Sequence, residues 1–180
     1  MVVIGNRAAM RYAKSFFLLA KEKKQLDATN KDFIYISQVF KENPDLTLIL
    51  DSPVITENQK LDIVEKLFEE NSSRLVKTSF KFLAEKRRMA LLGGISTEFS
   101  YLYDVDRNIT DADVITAIAL SEEQKDRVTK MISEKSGKTV RMNELTDASI
   151  LGGLVIKMDD EIYDGSLRNL LTRMSKTLKN

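Results

Sequence analysis

The sequence predicts an α+β chain: six helices, then a smaller region that mixes strands with helices. Three observations carry that division. Up to about Asn108, apolar residues recur at three- and four-residue steps. From Asp113 onward the period shortens toward two, and Val, Ile and Thr become frequent. Pro, Gly and capping residues stand where each periodic stretch stops.

Asn6 to Lys24 has neither Pro nor Gly, and Ala9, Tyr12, Ala13, Phe16 and Ala20 fall at helical spacing. Lys21, Lys23 and Lys24 lie near its end, where cations suit the helix dipole. Phe16, Phe17, Leu18 and Leu19 are consecutive, so they cannot all point inward, and part of this helix is expected to offer apolar surface. A second helix is predicted over Asp27 to Glu42, through Phe33, Ile36, Ser37 and Phe40. Asn43-Pro44 stops it and opens a short helix carrying Leu46, Leu48, Ile49 and Leu50, which Pro53 ends. Thr56 reads as an N-cap ahead of Leu61, Val64, Leu67 and Phe68. A fifth helix holds Leu75, Val76, Ser79, Phe80, Phe82 and Leu83 and closes on Lys86-Arg87-Arg88. The sixth runs from Met89 to Tyr103. Gly93-Gly94 inside it weaken a helix by ~1 kcal/mol each relative to Ala, so they mark a break or a close crossing.

Asp113 to Leu120 reads as a strand apolar on both faces. Ser121-Glu122-Glu123-Gln124 matches a capping box and starts a helix on Val128, Met131 and Ile132, ended by Ser136-Gly137. Thr139 to Leu145 alternates as a second strand. A third places Leu154, Ile156 and Met158 on one face and Val155 and Lys157 on the other. Asp159-Asp160-Glu161 turns into a short strand at Ile162-Tyr163. Asp164-Gly165 turns again, and Ser166 caps a closing helix with the stripe Leu167, Leu170, Leu171, Met174 and Leu178. The boundary drawn from these elements separates residues 1–108 from 109–180, with net charges of +2 and −1.

Composition excludes whole classes of chemistry. The 180 residues include no Cys, no His and no Trp, with 28 Lys+Arg against 27 Asp+Glu. Thiolate nucleophiles, disulfides, iron–sulfur clusters, imidazole bases and His-containing metal sites are therefore impossible. A net charge of +1 gives no reason to expect nucleic acid. The longest uncharged runs, Met89 to Thr97 and Ala148 to Ile156, are far below the ~18 residues of a membrane span. Met1 to Gly5 is too short for a signal-peptide core. A soluble, intracellular protein is the expectation, and an enzyme would have to work with carboxylates, Lys, Tyr or hydroxyls alone; no motif here assigns a catalytic residue, cofactor or metal.

The motifs that invite a functional reading have plainer ones. Asp159, Asp160 and Glu161 in one short turn cannot converge on a cation without help from elsewhere. Lys86-Arg87-Arg88 suits a helix C-terminus without any phosphate. Gly152-Gly153 precedes a strand, the wrong order for a nucleotide loop, and reads as a chain reversal. Asp164-Gly165-Ser166 precedes a helix but lacks a Lys and carries an acid, so it reads as turn plus cap.

Taken in order, several stretches resemble the delta-subunit family of the F-type ATP synthase, whose mitochondrial counterpart is the oligomycin-sensitivity-conferring protein. Arg11-Tyr12-Ala13-Lys14-Ser15-Phe16 is similar to the family's R-Y-A-x-A-[LF], and Phe82-Leu83-Ala84-Glu85-Lys86-Arg87-Arg88 to its [FL]-L-[AV]-E-[KN]-x-R. Val114 to Ser121 resembles V-x-T-A-x-P-L-S. The most specific stretches are Asp147 to Lys157, similar to D-x-S-I-[IL]-G-G-[LF]-x-[IV]-x, and Asp164-Gly165-Ser166-Leu167-Arg168, similar to D-G-S-[VIL]-[RK]. Ser15, Ala119 and Asp159 depart from the family's usual Ala, Pro and Gly.

The resemblance implies an N-terminal six-helix bundle and a smaller C-terminal α/β domain. It further implies a non-catalytic stator, joining the N-terminal helices of the alpha subunits to the C-terminus of the b-subunit in the peripheral stalk, during ATP synthesis coupled to proton transport. Membrane association then comes only through the complex, at the cytoplasmic face of a bacterial inner membrane, with no nucleic acid partner. On that footing the first and fifth helices are expected to form the alpha-docking groove, with Arg11, Tyr12, Phe16, Val76, Lys77 and Phe80 as contacts. Gly152, Gly153, Asp164, Gly165 and Ser166 are structural turns. A helical interaction adaptor or RNA-binding module is the alternative, distinguished by whether one face presents an apolar groove or clustered basic residues.

Overall fold

The computed structural model describes residues 7–69, 72–159 and 161–178. Among them are eight α-helices and one four-stranded sheet, so the protein is a mixed helical and sheet chain. It divides into two compact units, Met1–Tyr103 and Asp104–Asn180. The expected boundary after Asn108 marks where helix gives way to strand; the compact division falls earlier, inside the last helix of the first unit.

In the N-terminal unit, α1 (Arg7–Glu22) buries Ala9, Ala13, Phe16, Phe17 and Ala20. Of the four consecutive apolar residues, Phe16 and Phe17 enter the core while Leu18 and Leu19 stay exposed. The predicted start at Asn6 lies outside the described residues. Helix α2 (Leu26–Glu42) contributes Phe33 and Ile36. Pro44 occupies the first turn of α3 (Pro44–Asp51), where its missing N–H costs nothing, and Leu46 and Leu50 turn inward. Thr56 and Gln59 form a reciprocal capping box at the start of α4 (Glu57–Leu67). Helix α5 (Arg74–Glu85) buries Leu75, Val76, Ser79, Phe80, Leu83 and Ala84. Its cap residue Ser73 makes no side-chain capping bond; instead Asp32 of α2 accepts the Ser73 N–H at 2.8 Å, placing a carboxylate at the positive end of the helix.

The sixth helix differs from expectation at both ends. Met89–Leu91 forms a 3-10 turn, and α6 itself spans Leu92–Arg107. Gly93 and Gly94 lie within it and mark a close crossing. A Cβ on Gly93 would stand 2.9 Å from the Phe40 ring, and one on Gly94 3.3 Å from the Ala9 Cβ. Phe99 of α6 stacks on Phe33 with ring centroids 4.5 Å apart and meets Phe17 edge-on, joining α1, α2 and α6 in one core.

In the C-terminal unit, β1 (Ile109–Thr116), α7 (Glu122–Ser136) and β2 (Thr139–Thr146) make a parallel strand pair with a helical crossover. The strands β3 (Leu154–Met158) and β4 (Glu161–Asp164) extend the sheet antiparallel, in the order β2-β1-β3-β4. Ala112, Val114 and Ile156 pack with Ile132 of α7. The first strand corrects the prediction. It begins before Asp113, ends at Thr116, and buries only one face, through Thr110, Ala112, Val114 and Thr116. Its other face mixes the half-buried Ile109 and Ile115 with polar pairs, Arg141 pairing with Asp111 at 3.1 Å and Asn143 donating to Asp113 at 3.2 Å. The apolar run after Thr116 is a connection: the Leu120 N–H donates to Glu144 and Ile118 is exposed.

Ser121 and Gln124 form the expected capping box on α7, and Gly137 closes that helix at φ 68°. Asp159, the departure from the usual Gly, also adopts a positive φ of 52°. An acidic residue tolerates that backbone better than most, and its carboxylate accepts from Thr110 Oγ1 at 2.9 Å and lies 2.8 Å from Lys138 Nζ. Asp160 lies outside the described residues.

Helix α8 (Leu167–Leu178) starts where two turns cross. Gly165 N–H donates to Leu154 O and Leu167 N–H to Gly152 O, each at 3.0 Å. Gly153 has φ 75°, and a Cβ there would fall 2.2 Å from Gly165 O. Gly137 shares a similar φ but faces open space. Gly137→Ala is therefore expected to cost about 1–2 kcal/mol from backbone strain alone, and Gly153→Ala more than about 3 kcal/mol because backbone atoms must also move apart. Urea denaturation of the two variants measures the difference, and equal losses would contradict the crossing.

Candidate protein-docking surfaces

None of the described helices is long and apolar enough to cross a membrane, and no group of three or more acidic residues among the described ones is placed to hold a metal ion. Asp159 is committed to Thr110 and Lys138, and Lys86 sits over an aromatic ring. In the Asp164-Gly165-Ser166 turn the polar groups are used internally. Asp164 Oδ1 accepts the Ser166 N–H at 2.9 Å, and Ser166 Oγ accepts the Asn169 N–H at 3.2 Å. The hydroxyl and amide of Ser166 hold the Asp164 carboxyl below its usual range. What this chain offers is surface.

The first surface is the seam between α1 and α5. Tyr12, Phe16 and Phe82 form an aromatic triangle with centroids 6.2–6.4 Å apart, Phe82 lying edge-on to both partners. Phe82 remains 39% exposed, and Lys86 Nζ stands 5.6 Å from its ring centre. The other end of the seam is a cavity of about 480 Å³ lined by Leu19, Lys23, Gln25, Arg74, Leu75 and Thr78. Early α1 meets late α5 and late α1 meets early α5, so the helices run antiparallel. From Tyr12 to Lys23 the seam is about 17 Å long, three helical turns.

The predicted contacts divide around it. Arg11 is exposed, Tyr12 half-buried, and Phe16 just reaches the surface. Val76 and Phe80 have no exposed surface: they are core residues, and an acidic replacement of either would break the core instead of the docking face. Lys77 lies five residues before Phe82, about 140° around the helix, and is outside the seam. Phe82, present in the sequence pattern but absent from the predicted contacts, is the α5 aromatic that reaches the surface beside Tyr12, while Phe80 is buried. The i to i+4 spacing from Val76 to Phe80 marks one face of α5 but not which way that face points.

The second surface belongs to the C-terminal unit. Leu167, Leu170, Leu171 and Met174 form the predicted stripe of α8, and each is about half exposed. Leu178 lies beyond the described side chains. The helix packs on the short turn carrying the buried Ile150, while α7 covers the sheet face of Ala112, Val114 and Ile156. Between α7 and β3–β4 a cavity of about 590 Å³ opens over Met131, Ile132, Ile156 and Met158. Its rim carries Lys135, 3.9 Å from the centre of the Tyr163 ring, with Tyr163 Oη donating to Glu161. The Asp164-Gly165 turn lines this cavity and leads directly into α8, so cavity and stripe are neighbours.

Sequence comparison gives the lineage. Residues 8–178 match the family described as ATP synthase delta (OSCP) subunit. The chain belongs to that family. It is 37% identical over 180 residues to the ATP synthase subunit delta of Lactobacillus gasseri, covering 99% of this chain and 98% of that protein. With the protein of the same name from Chlorobium chlorochromatii it shares 33% over 177 residues, covering 98% and 97%. A chain of the Toxoplasma gondii mitochondrial ATP synthase hexamer, solved by cryo-electron microscopy, superposes with a TM-score of 0.64 at 20% identity over 96% of this chain and 97% of that one. As a member of the delta (OSCP) family, the protein is a structural component of ATP synthase and not a catalyst.

The depressed carboxyls set a direction for acid sensitivity. Lys138 first, then Thr110, hold Asp159 below its usual range, as Ser166 does Asp164. Their stabilisation is complete above the ordinary carboxylate range near pH ~4 and is lost as pH falls through the lower folded values. Asp159→Asn is expected to flatten the acid-side decline of stability. A pH series of denaturation curves superimposable on the parent's would refute it.

Proposed function

We propose that this chain is the stator connector of a bacterial F-type ATP synthase. Its N-terminal domain (residues 1–108), acting as a six-helix bundle, binds the N-terminal helices of the alpha subunits along the α1/α5 seam. Its C-terminal domain (109–180) binds the C-terminus of the b-subunit through the α8 stripe and the adjoining cavity. The observation that carries this reading is that each compact unit leaves apolar surface unpartnered, in the N-terminal unit an aromatic triangle and in the C-terminal unit a leucine stripe, the minimum a two-ended connector requires. Tyr12, Phe16 and Phe82 are the aromatic anchors, and Arg11 flanks them. Attachment to the cytoplasmic face of the inner membrane follows through the complex alone, and the work is mechanical: holding the catalytic head against the torque of the rotor.

The two surfaces make the reading separable. Phe82→Asp is expected to weaken binding of a synthetic alpha N-terminal peptide at least about tenfold, a loss of ~1.4 kcal/mol, with unchanged helical circular dichroism. A Leu170→Asp, Leu171→Asp double variant is expected to leave that titration alone and to lose capture of a soluble b-subunit fragment. Parent-like affinities in both variants would reject the assignment.

A further inference from the structure

Charge is distributed unevenly in a way the net value of +1 hides. Residues 7–24 and 74–88, which contain α1 and α5, hold twelve of the 28 basic residues and only Glu22 and Glu85 of the 27 acidic ones. They carry +10, and the rest of the chain carries −9. Arg11, Lys14, Lys23, Arg74 and Lys86 are exposed, and the described ion pairs leave all five without a carboxylate partner. Within this set, Lys23 and Arg74 line the cavity at one end of the seam, and Lys86 covers Phe82 at the other. Lys23 and Arg74, lining one cavity without a described carboxylate partner, repel one another there, and a complementary ligand relieves that.

We infer that the helix seated on the α1/α5 seam is acidic: apolar on the face that meets Tyr12, Phe16 and Phe82, and lined with carboxylates where it passes Lys23, Arg74 and Lys86. This rests on the docking role proposed above and adds the chemistry of the partner. The aromatic triangle and a track three turns long favour an amphipathic helix over a flexible polyanion, which needs no continuous apolar floor. Attraction at the ends steers the encounter and fixes which polar face is accepted, while the aromatic anchors supply the desolvated contact.

The test uses the full chain and three probes: two synthetic 20-residue amphipathic peptides sharing one Leu/Ile face, with either Glu or Lys on the polar face, and a 20-nucleotide oligouridylate. The Glu peptide is expected to bind at least tenfold tighter than the Lys peptide and to lose about tenfold between 50 and 500 mM NaCl. Lys23→Glu with Arg74→Glu should weaken it about tenfold and remove most of that salt dependence, and Phe82→Asp should weaken it at any salt. Equal affinity for the two peptides, a flat salt response, or oligouridylate binding tighter than the Glu peptide and indifferent to Phe82→Asp each overturns the inference. Capture of the ATP synthase head separates the two levels. Capture that survives the charge reversal unchanged removes the acidic partner and leaves the docking role standing; its persistence in Phe82→Asp removes the seam.

Discussion

The packing of α5 constrains everything else in the helical unit. Val76, Phe80 and Leu83 have no accessible surface, and Ser79, buried among them, donates its hydroxyl to Leu75 O to satisfy itself within the helix. Losing a large apolar side chain from such a site costs about 2–5 kcal/mol, a large share of the stability of a small domain. The inner face of α5 is therefore unavailable for recognition. What remains is the outer row through Arg74, Thr78 and Phe82, and α1 lies against it so that Tyr12 and Phe16 complete the aromatic surface.

The C-terminal unit reaches a similar result by another route. Its sheet has one apolar face, and α7 meets most of that need with few large side chains. The outer face is occupied by polar pairs such as Arg141 with Asp104 and Asp111. Helix α8 packs on the short turn that carries the buried Ile150, yet its Leu and Met residues stay about half exposed although their spacing is that of a core-facing helix.

These differences explain what the sequence conveyed and what it did not. Thr56 as a cap and Ser121 with Gln124 as a capping box were legible because capping is local chemistry. Gly137 and the Gly152-Gly153 reversal were legible for the same reason, since positive φ selects glycine. The β1 limits were misread because Ala117 to Leu120 is as apolar as a buried strand, and only the tertiary bond from Leu120 N–H to Glu144 shows it to be a connection. Gly93-Gly94 stayed ambiguous until Phe40 and Ala9 were seen against them. Phe80 and Phe82 are two residues apart and alike in chemistry. Which of them stays at the surface depends on where the neighbouring helices lie, information that no spacing within α5 contains.

The crossing of Gly153 over Gly165 carries a consequence for stiffness. Leu167 N–H to Gly152 O and Gly165 N–H to Leu154 O join the start of α8 to the beginning of a central pairing strand through main-chain atoms alone. Side-chain contacts yield by changing rotamer, whereas this junction has no rotamers to change. Tension applied to α8 reaches β3, and through its ladder β1, with little slack, so the joint behaves as a short rigid coupling instead of a spring. Compliance between the ends of the protein then has to reside elsewhere along the chain.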